Sequence, residues 1–180
     1  FADLERGVSG LRIGRLVDAD IPLATAEVRA DFDAALRRLA DLGATIVPVE
    51  MPVSLDRLGH LCGQFMAPEA YAYWGHFVDD PNSGLAAPIR ARMLVGKTTP
   101  APDYITARNN QRGNIDKFLS VIDRLDAVAL PTIAFPAIPV AEVDETKAPM
   151  AAHTRWANYL DLCGIAVPTA LSAGRLPMSL

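Results

Sequence analysis

Two short apolar runs, each ended by Pro-Thr, constrain the fold of this chain more than any other feature. Residues 127–130 are followed by Pro131 and Thr132, and residues 164–169 repeat the pattern. A run without a polar face is typical of a strand buried on both sides of a sheet. Proline then ends the ladder, because it has no N–H to donate. We therefore expect two neighbouring buried strands whose Pro-Thr turns lie at the same edge, where ligands bind in open α/β sheets.

The first fifty residues predict a strand, a helix and a second strand. Residues 11–16 alternate between apolar and polar types, which is typical of a strand. Thr25 is the expected N-cap of the following helix, and Gly43 is its expected C-terminal cap. Residues 45–49 form the second predicted strand, and the proline inside it favours an edge position. This order predicts a βαβ unit.

The rest of the chain alternates helical patterns with loops. The apolar spacing and the turn residues predict helices over residues 54–74, 85–95, 103–125 and 152–163, with the third the longest. We expect a kink or two separate helices around Pro68. The third helix is expected to turn Ile105, Leu119, Ile122 and Leu125 toward the core. The last residues turn and begin another strand.

Length and composition favour one soluble domain over residues 1–180, and the order of predicted strands and helices places it in the α/β class. The chain has 180 residues, a net charge of −4 and scattered basic residues, so we expect no nucleic-acid partner. No apolar run is long enough to span a bilayer, and the first residues do not resemble a signal peptide. We therefore expect a cytoplasmic protein without a membrane partner. A mean hydropathy of +0.17 hints at a missing partner surface.

The sequence predicts no metal site, no phosphate-binding loop and no nucleophile elbow. His60, His76 and His153 are far apart in the sequence, so we expect no metal site. The loop after the first strand carries Asp18 and Asp20 where a phosphate loop needs glycine amides, so we expect no nucleotide and no other cofactor. No Gly-x-Ser-x-Gly elbow is present.

A few residues could contact a small ligand, and each has a plain structural alternative. Thr132 and Thr169 follow the two apolar runs, but their hydroxyls could simply tie off the turns after the prolines. Trp156 and Asn158, beside Tyr159, could form a pocket wall, and so could Glu69 with Tyr71 and Tyr73. The same amphipathic aromatic residues would also suit an interface helix. Cys62 and Cys163 are expected to be buried free thiols.

Six segments in a defined order resemble the C-terminal part of the amidase signature family. They are Gly-Leu-Arg-Ile-Gly at 10–14, Leu-Ala-Asp-Leu-Gly-Ala-Thr-Ile-Val-Pro-Val at 39–49, Asp-Tyr-Ile-Thr-Ala-Arg at 103–108, Asp-Ala-Val-Ala-Leu-Pro-Thr at 126–132, Thr-Arg-Trp-Ala-Asn at 154–158, and Gly-Ile-Ala-Val-Pro at 164–168 with Gly-Arg-Leu-Pro at 174–177. No single segment is specific, whereas six in order are fairly specific. The resemblance covers residues 10–180.

The resemblance implies a serine hydrolase that cleaves carboxamides to an acid and ammonia or an amine. It also implies a serine nucleophile, a second serine in a cis peptide and a lysine base, all in or before a Gly/Ser-rich region. Nothing in this chain matches that region, and its lysines are Lys97, Lys117 and Lys147. The resemblance therefore supplies no catalytic residue here. It implies that this chain supplies part of a mixed β-sheet covered by helices, together with one wall of the acyl pocket. It also implies that the chain is a fragment, a truncated product or one piece of a longer chain.

We therefore expect a portion of an amidase that contributes pocket wall and scaffold, is inactive alone, and requires the remainder of the amidase fold as its partner. Its candidate pocket residues are Pro131, Thr132, Trp156, Asn158 and Thr169. The expected ligand is a small-molecule amide, and a homodimer is a further candidate assembly. One alternative is a non-catalytic α/β module that binds a ligand or a partner. Another is an unrelated α/β enzyme that uses Cys62 or Cys163 as its nucleophile.

Overall fold

A computed structural model of the chain describes residues 5–144 and 149–180. The α-helices in these ranges are α1 (Ala26–Asp41), α2 (Leu55–Asp79), α3 (Ala87–Leu94), α4 (Ala101–Ile122) and α5 (Arg155–Tyr159). The strands are β1 (Arg12–Leu16), β2 (Thr45–Val49), β3 (Ala127–Ala129), β4 (Pro168–Leu171) and β5 (Pro177–Ser179). Short 3-10 helices occur at Asp18–Asp20, Val95–Thr98, Val140–Glu142 and Pro149–Ala151. The predicted α/β class is confirmed.

The N-terminal βαβ unit is confirmed. β1 pairs in parallel with β2 and with β3, in the order β2-β1-β3, so β2 lies at an edge as its internal proline predicted. The side-chain oxygen of Thr25 accepts a hydrogen bond from the N–H of Val28, which is the predicted N-cap. Gly43 has a φ of +98°, a left-handed conformation that closes the end of α1. Leu16, Phe32 and Leu36 are buried in the main core cluster.

The prediction that the run at residues 127–130 is a central strand buried on both sides is wrong. β1 is the central strand, whereas β3 pairs only with β1 among the described strands. Ala127 is exposed, Val128 is half-buried and Ala129 is buried. Hydropathy alone misplaced this strand, because an apolar run records what a segment can bury and not which neighbours it has.

The second apolar run does not pair with the first. β4 begins at Pro168, where we expected a strand to end, and it pairs antiparallel with β5 in a separate two-stranded sheet. Ile165 is 85 % exposed, so the run before Pro168 is not a buried strand. The two sheets are joined through the backbone, since the N–H of Thr132 donates to the carbonyl oxygen of Ser179 at 3.0 Å. This bond connects the segment that follows β3 in the parallel sheet to β5 of the antiparallel pair.

The helices differ from their predicted bounds. α2 continues through Pro68 to Asp79, so the prediction of two separate helices is wrong, and its 25 residues exceed the 22 of α4. Ser54 caps its start by accepting from the N–H of Arg57. α5 is a short helix of 5 residues and does not extend over the predicted range of residues 152–163. Proline inside α2 removes one helical hydrogen bond, which tertiary packing can offset.

The core-facing residues predicted for the third helix, α4, are confirmed in part, since Ile122 and Leu125 are partly buried against the core cluster whereas Ile105 and Leu119 are not. Ala107, Gln111 and Phe118 are its buried residues, whereas Ile105 and Leu119 are 57 % and 47 % exposed. The three buried positions are four and seven apart, which places them on one helical face. A small residue and an amide face the core here because α5 lies close, and the side-chain amide of Gln111 donates to the carbonyl oxygen of Tyr159 at 2.7 Å. None of the described helices is long and apolar enough to cross a membrane.

Candidate functional site at the carboxyl end of β3

The turn after β3 is fixed by a buried histidine. Pro131 is fully buried, and its carbonyl oxygen lies 3.0 Å from Nδ1 of His153. His153 is 4 % exposed and precedes α5 in the chain. A carbonyl oxygen can only accept a hydrogen bond, so Nδ1 of His153 carries the proton. This bond ties the end of β3 to the segment that leads into α5.

Trp156 is joined to the same histidine. Its indole Nε1–H donates to the carbonyl oxygen of His153 at 2.8 Å, and its ring meets the ring of Phe118 edge-on with centroids 5.5 Å apart. Trp156 is 5 % exposed. Pro131 and Trp156, two of the predicted pocket residues, are therefore brought into one cluster through His153. The indole packs into the core and its polar atom is satisfied within the protein.

Thr132 lies beside the C-terminal hairpin. Its N–H bonds to Ser179, and Ser179 also faces Pro168 across the β4–β5 pair. The two Pro-Thr turns are therefore on opposite sides of β5 rather than on adjacent strands. Thr132 is half-buried, and its hydroxyl makes no hydrogen bond to another described residue. Of the two threonines, Thr132 retains a side chain that can meet a ligand.

Thr169 is held in a structural contact. Its hydroxyl donates to Oδ2 of Asp31 on α1, and the N–H of Ala170 donates to Oδ1 of the same carboxylate at 3.2 Å. Glu27, one helical turn earlier, accepts from the N–H of Ala173. Two carboxylates of α1 thus hold the β4–β5 hairpin. The alternative in which the Thr169 hydroxyl ties off the turn after Pro168 is wrong, because Pro168 and Thr169 lie in β4 and the hydroxyl bonds to Asp31 of α1.

Asn158 lies on α5 and is exposed. Its neighbour Tyr159 is buried, and the phenol oxygen of Tyr159 accepts from the amide of Asn114 at 3.0 Å. The ring of Tyr159 also packs near Phe65 of α2, with centroids 5.8 Å apart. α5 therefore has a packed side toward α2 and α4, and Asn158 belongs to its exposed side.

The second predicted wall, around Glu69, is an inter-helical contact. The phenol O–H of Tyr104 donates to Oε1 of Glu69 at 2.9 Å, and the same oxygen lies 3.8 Å from the guanidinium of Arg108. The bond to Glu69 raises the pKa of Tyr104 above its ordinary value. Tyr71 instead donates to Asp79 at 2.7 Å, and Tyr73 is exposed. Glu69, Tyr71 and Tyr73 do not converge on one pocket.

Three of the described serine hydroxyls have structural roles. Ser54 caps α2, Ser120 donates to the carbonyl oxygen of Lys117 at 2.7 Å, and Ser172 accepts from the N–H of Leu176 at 3.0 Å. A serine nucleophile needs a base within hydrogen-bond reach. None of these three bonds involves a side chain that can take a proton.

The described lysines do not have the environment of a general base. Nζ of Lys97 lies 2.9 Å from Oδ1 of Asp79, and this bond raises the pKa of Lys97. A lysine base requires the opposite direction, a lowered pKa that frees its lone pair near neutral pH. Lys117 is exposed on α4, and Lys147 lies outside the described residues.

The two cysteines differ in environment. Cys62 is 2 % exposed, and burial raises the pKa of its thiol. Its Sγ lies 3.0 Å from Sδ of Met66. Cys163 is exposed, so the prediction that both thiols are buried is wrong for Cys163. The loop after α5 reaches the surface because α5 ends at Tyr159, earlier than the apolar pattern indicated.

A groove of about 540 Å³ lies elsewhere, between β2 and the end of α4. Apolar residues such as Val47, Val49 and Leu125 line it, with Arg12 and Glu50 among its polar residues. Arg12 is engaged there, because its Nε donates to the carbonyl oxygen of Arg124 at 2.9 Å. None of the predicted pocket residues lines this groove. No group of three or more His, Cys, Asp or Glu within residues 5–144 and 149–180 is placed to hold a metal ion.

Sequence reasoning missed His153 as part of the site. In the sequence, His153 could be assessed only as a possible metal ligand, and no second ligand lies at helical spacing from it. Its partner is the main-chain carbonyl of Pro131, 22 residues earlier, which spacing does not reveal. The available signal was position, since His153 directly precedes the Thr-Arg-Trp-Ala-Asn segment at 154–158.

Comparison with known proteins identifies the family. The family model described as Amidase matches residues 2–180. The chain belongs to the amidase family. It is 27 % identical over 168 residues to an amidase of Pseudomonas putida, with 90 % of this chain and 36 % of that protein covered. It is 23 % identical over 203 residues to a glutamyl-tRNA(Gln) amidotransferase subunit from Acidobacterium capsulatum, with 98 % of this chain and 43 % of that protein covered.

A solved amidase structure has the same fold over almost the whole chain. The TM-score is 0.79 at 22 % identity, with 96 % of this chain and 41 % of the solved chain covered. At this identity the likeness establishes the fold alone. This amidase-family chain spans about two fifths of the length of the relatives it matches.

Proposed function

We propose that this chain is the scaffold and pocket-wall portion of an enzyme that hydrolyses a small carboxamide to an acid and ammonia or an amine. Membership of the amidase family supports amide hydrolysis as the reaction class. In this proposal the chain supplies neither the serine nucleophile nor the lysine base. The engaged hydroxyls of Ser54, Ser120 and Ser172 and the ion pair of Lys97 support that division.

The observation that carries the proposal is the chain of contacts from Pro131 through His153 to Trp156. It holds the turn at the carboxyl end of β3, the edge of a parallel sheet where α/β proteins bind ligands. Thr132 follows Pro131 directly and has a hydroxyl without a partner among the described residues. We propose Thr132 as the substrate contact, Pro131 and Trp156 as the fixed wall behind it, and Asn158 as a contact from the exposed side of α5. Thr169 is the weakest member of the set, because Asp31 holds its hydroxyl.

The proposed partner is the remainder of the amidase fold. β3 pairs with β1 and leaves its other edge without a described strand, and an unpaired edge invites another strand. Large apolar side chains are exposed near the C-terminal hairpin, among them Ile165 and Leu171. Surface of this kind is typical of an interface. A cytoplasmic location and a homodimer are further proposals.

The decisive test is the coding sequence that precedes Phe1, together with the longer protein it encodes. We expect a lysine followed by a serine- and glycine-rich run, and a longer protein that releases ammonia or an amine from benzamide or malonamide. In that protein, Thr132→Val is expected to raise KM more than it lowers kcat, because the hydroxyl touches substrate outside the reacting bond. Thr106→Val, at an exposed position of α4, is the matched control. A longer protein without any amidase activity would contradict the proposal.

The alternative, a non-catalytic ligand-binding or assembly module, makes a different prediction for the isolated chain. A module with a complete site would be stabilised by its ligand, and Tm would rise with ligand concentration. We expect no rise in Tm with a panel of amides and their acids, because in our proposal the rest of the amidase fold completes the pocket. A saturable rise with one member of the panel would favour the alternative.

A further inference from the structure

His153 links the turn after β3 to the start of α5. Its imidazole bonds to Pro131 at the end of β3, and its carbonyl oxygen accepts the indole N–H of Trp156. Thr132, the residue after Pro131, is bonded in turn to Ser179 of β5. The ring of His153 is therefore connected to Thr132 through one peptide unit, and to the C-terminal hairpin through one more hydrogen bond.

The protonation state of the ring follows from its surroundings. Nδ1 must carry a proton to bond to the Pro131 carbonyl, which leaves Nε2 as an acceptor in the neutral ring. Nε2 is fully buried and has no hydrogen-bond partner among the described residues. A second proton on Nε2 would place an unpaired N–H and a positive charge in the interior, which is costly.

The burial of the ring and the positive charge of Arg29 both favour the neutral form of His153. Burial is the main cause that lowers the pKa of His153, the bond to Pro131 opposes it, and the positive field of Arg29 on α1 adds to the lowering. Arg29 is itself fixed, since its guanidinium donates to the carbonyl oxygens of Ala24 and Ile21 at 3.0 and 2.7 Å. Asp18 lies 3.6 Å from Arg29 and partly balances it. Arg29 is the charged residue among those described whose field reaches this ring.

We propose that His153 is a positioning residue that holds Pro131 and Thr132 in the pocket-wall conformation, and that it does so only as the neutral ring protonated on Nδ1. This inference rests on the proposed function, in which Pro131 and Thr132 form the wall. The hydrogen bond that matters is the one from Nδ1 to the Pro131 carbonyl. A substituted side chain with a donor at that position should therefore keep Pro131 and Thr132 in the same conformation. Protonation of Nε2 releases the ring from its buried site and with it the Pro131–Thr132 turn.

The direct test is NMR of the intact chain, which measures the protonation of the His153 ring and the amide resonance of Thr132. Long-range ¹H–¹⁵N spectra are expected to show the Nδ1–H form for His153. Its titration is expected to move the amide resonance of Thr132 with the same midpoint. His60, whose side chain is 74 % exposed and 3.5 Å from Asp56, provides the matched control. His60→Asn is expected to leave the Thr132 titration unchanged.

Two substitutions separate positioning from simple packing. His153→Asn places an amide N–H where Nδ1 lies, whereas His153→Leu fills similar space without a donor. We expect His153→Leu to speed hydrogen exchange at the Thr132 amide by about fivefold or more, and His153→Asn to restore most of the protection. If His153→Leu fails to fold, the ring spectra and His153→Asn still decide the question.

Three results would overturn the inference. They are a His153 ring protonated on Nε2, a Thr132 amide resonance that does not change as His153 titrates, and a His153→Asn variant in which the Thr132 amide is not protected from exchange. None of these readouts depends on amide hydrolysis. If these NMR results contradict the inference, the proposed amidase activity is unaffected. If the longer protein has no amidase activity, the expected ring spectra are unaffected.

Discussion

The main-chain N–H of Thr132 donates to the carbonyl oxygen of Ser179 at 3.0 Å. This bond joins the parallel sheet to the antiparallel hairpin and places Pro131 and Pro168 on opposite sides of β5. The hairpin is fixed from its other side by carboxylates of α1. The carboxyl end of β3 is therefore a junction of three elements, which adds support to the pocket wall that we propose there.

The hairpin should loosen when its clamp on α1 is removed. Asp31→Ala removes the acceptor for Thr169 and Ala170, and we expect a loss of about 1–3 kcal/mol of unfolding free energy, since hydrogen bonds to a charged group are worth more than neutral ones. Thr169→Val removes one of these bonds and should cost about 1 kcal/mol. Urea unfolding measures both.

The matched control for this clamp is Asp41→Ala, at an exposed position in the last turn of the same helix. It should change stability by less than about 0.5 kcal/mol. Equal effects of the Asp31 and Asp41 substitutions would show that the clamp adds nothing to stability.

Gly96 should not accept a side chain. A Cβ built on Gly96 would lie 2.1 Å from the carbonyl oxygen of Ala67 and 2.6 Å from the nitrogen of Pro68 in α2. Gly96→Ala must therefore push the Val95–Thr98 turn off α2, and we expect a loss of about 1–3 kcal/mol, as in other overpacked sites. Thermal or urea unfolding gives the value.

Gly113→Ala is the control for Gly96→Ala. A Cβ at Gly113 has no atom within 4 Å, and the residue lies inside α4. Alanine there should stabilise the helix by about 0.5–1 kcal/mol. If Gly96→Ala were as stable as the parent chain, the close approach of the turn to α2 would be refuted.

Acid should weaken the charge network at the end of β1. The hydrogen bond from Arg15 at 2.7 Å is the main cause that lowers the pKa of Asp18. A carboxyl whose folded pKa is lowered contributes stability above its ordinary pKa, and that contribution is lost as pH falls through the folded pKa. We expect stability to fall below about pH 4 and to fall less steeply in Asp18→Asn.

The network is exposed, so the difference between Asp18→Asn and the parent chain should be small and should shrink in high salt. Urea unfolding across the acid range, from about pH 3 to about pH 6, measures it. Identical pH profiles for the two chains would show that Asp18 is not linked to folding.

The two thiols should react very differently with iodoacetamide at neutral pH. Cys163 is exposed and should be alkylated, whereas Cys62 is buried with a raised pKa and should be protected. Mass spectrometry of the native chain identifies the labelled residue. Rapid labelling of Cys62 would instead support the alternative of a cysteine nucleophile.

Local signals in the sequence predicted the elements that depend on neighbouring residues. The N-cap at Thr25, the glycine at 43 and the edge strand with Pro48 were predicted because caps, turns and strand edges have strong residue preferences. The pairing of β3 and β4 was missed, because it depends on contacts between distant segments that an apolar run does not specify.

The candidate site was predicted only in part, because some of its contacts also join segments that are distant in the sequence. Pro131 and Trp156 do lie in one cluster, but the residue that joins them, His153, acts through a main-chain carbonyl and carries no spacing pattern. The role of Thr169 depended on a carboxylate of α1, 138 residues earlier, which also leaves no local signal.

The most direct test of the central claim is the release of ammonia from benzamide and malonamide by the purified 180-residue chain. We propose that this portion of an amidase lacks the nucleophile and the base. The account therefore predicts a rate equal to the buffer blank, under conditions in which an intact amidase is active. Saturable ammonia release that is abolished by substituting one serine or cysteine of this chain would contradict it.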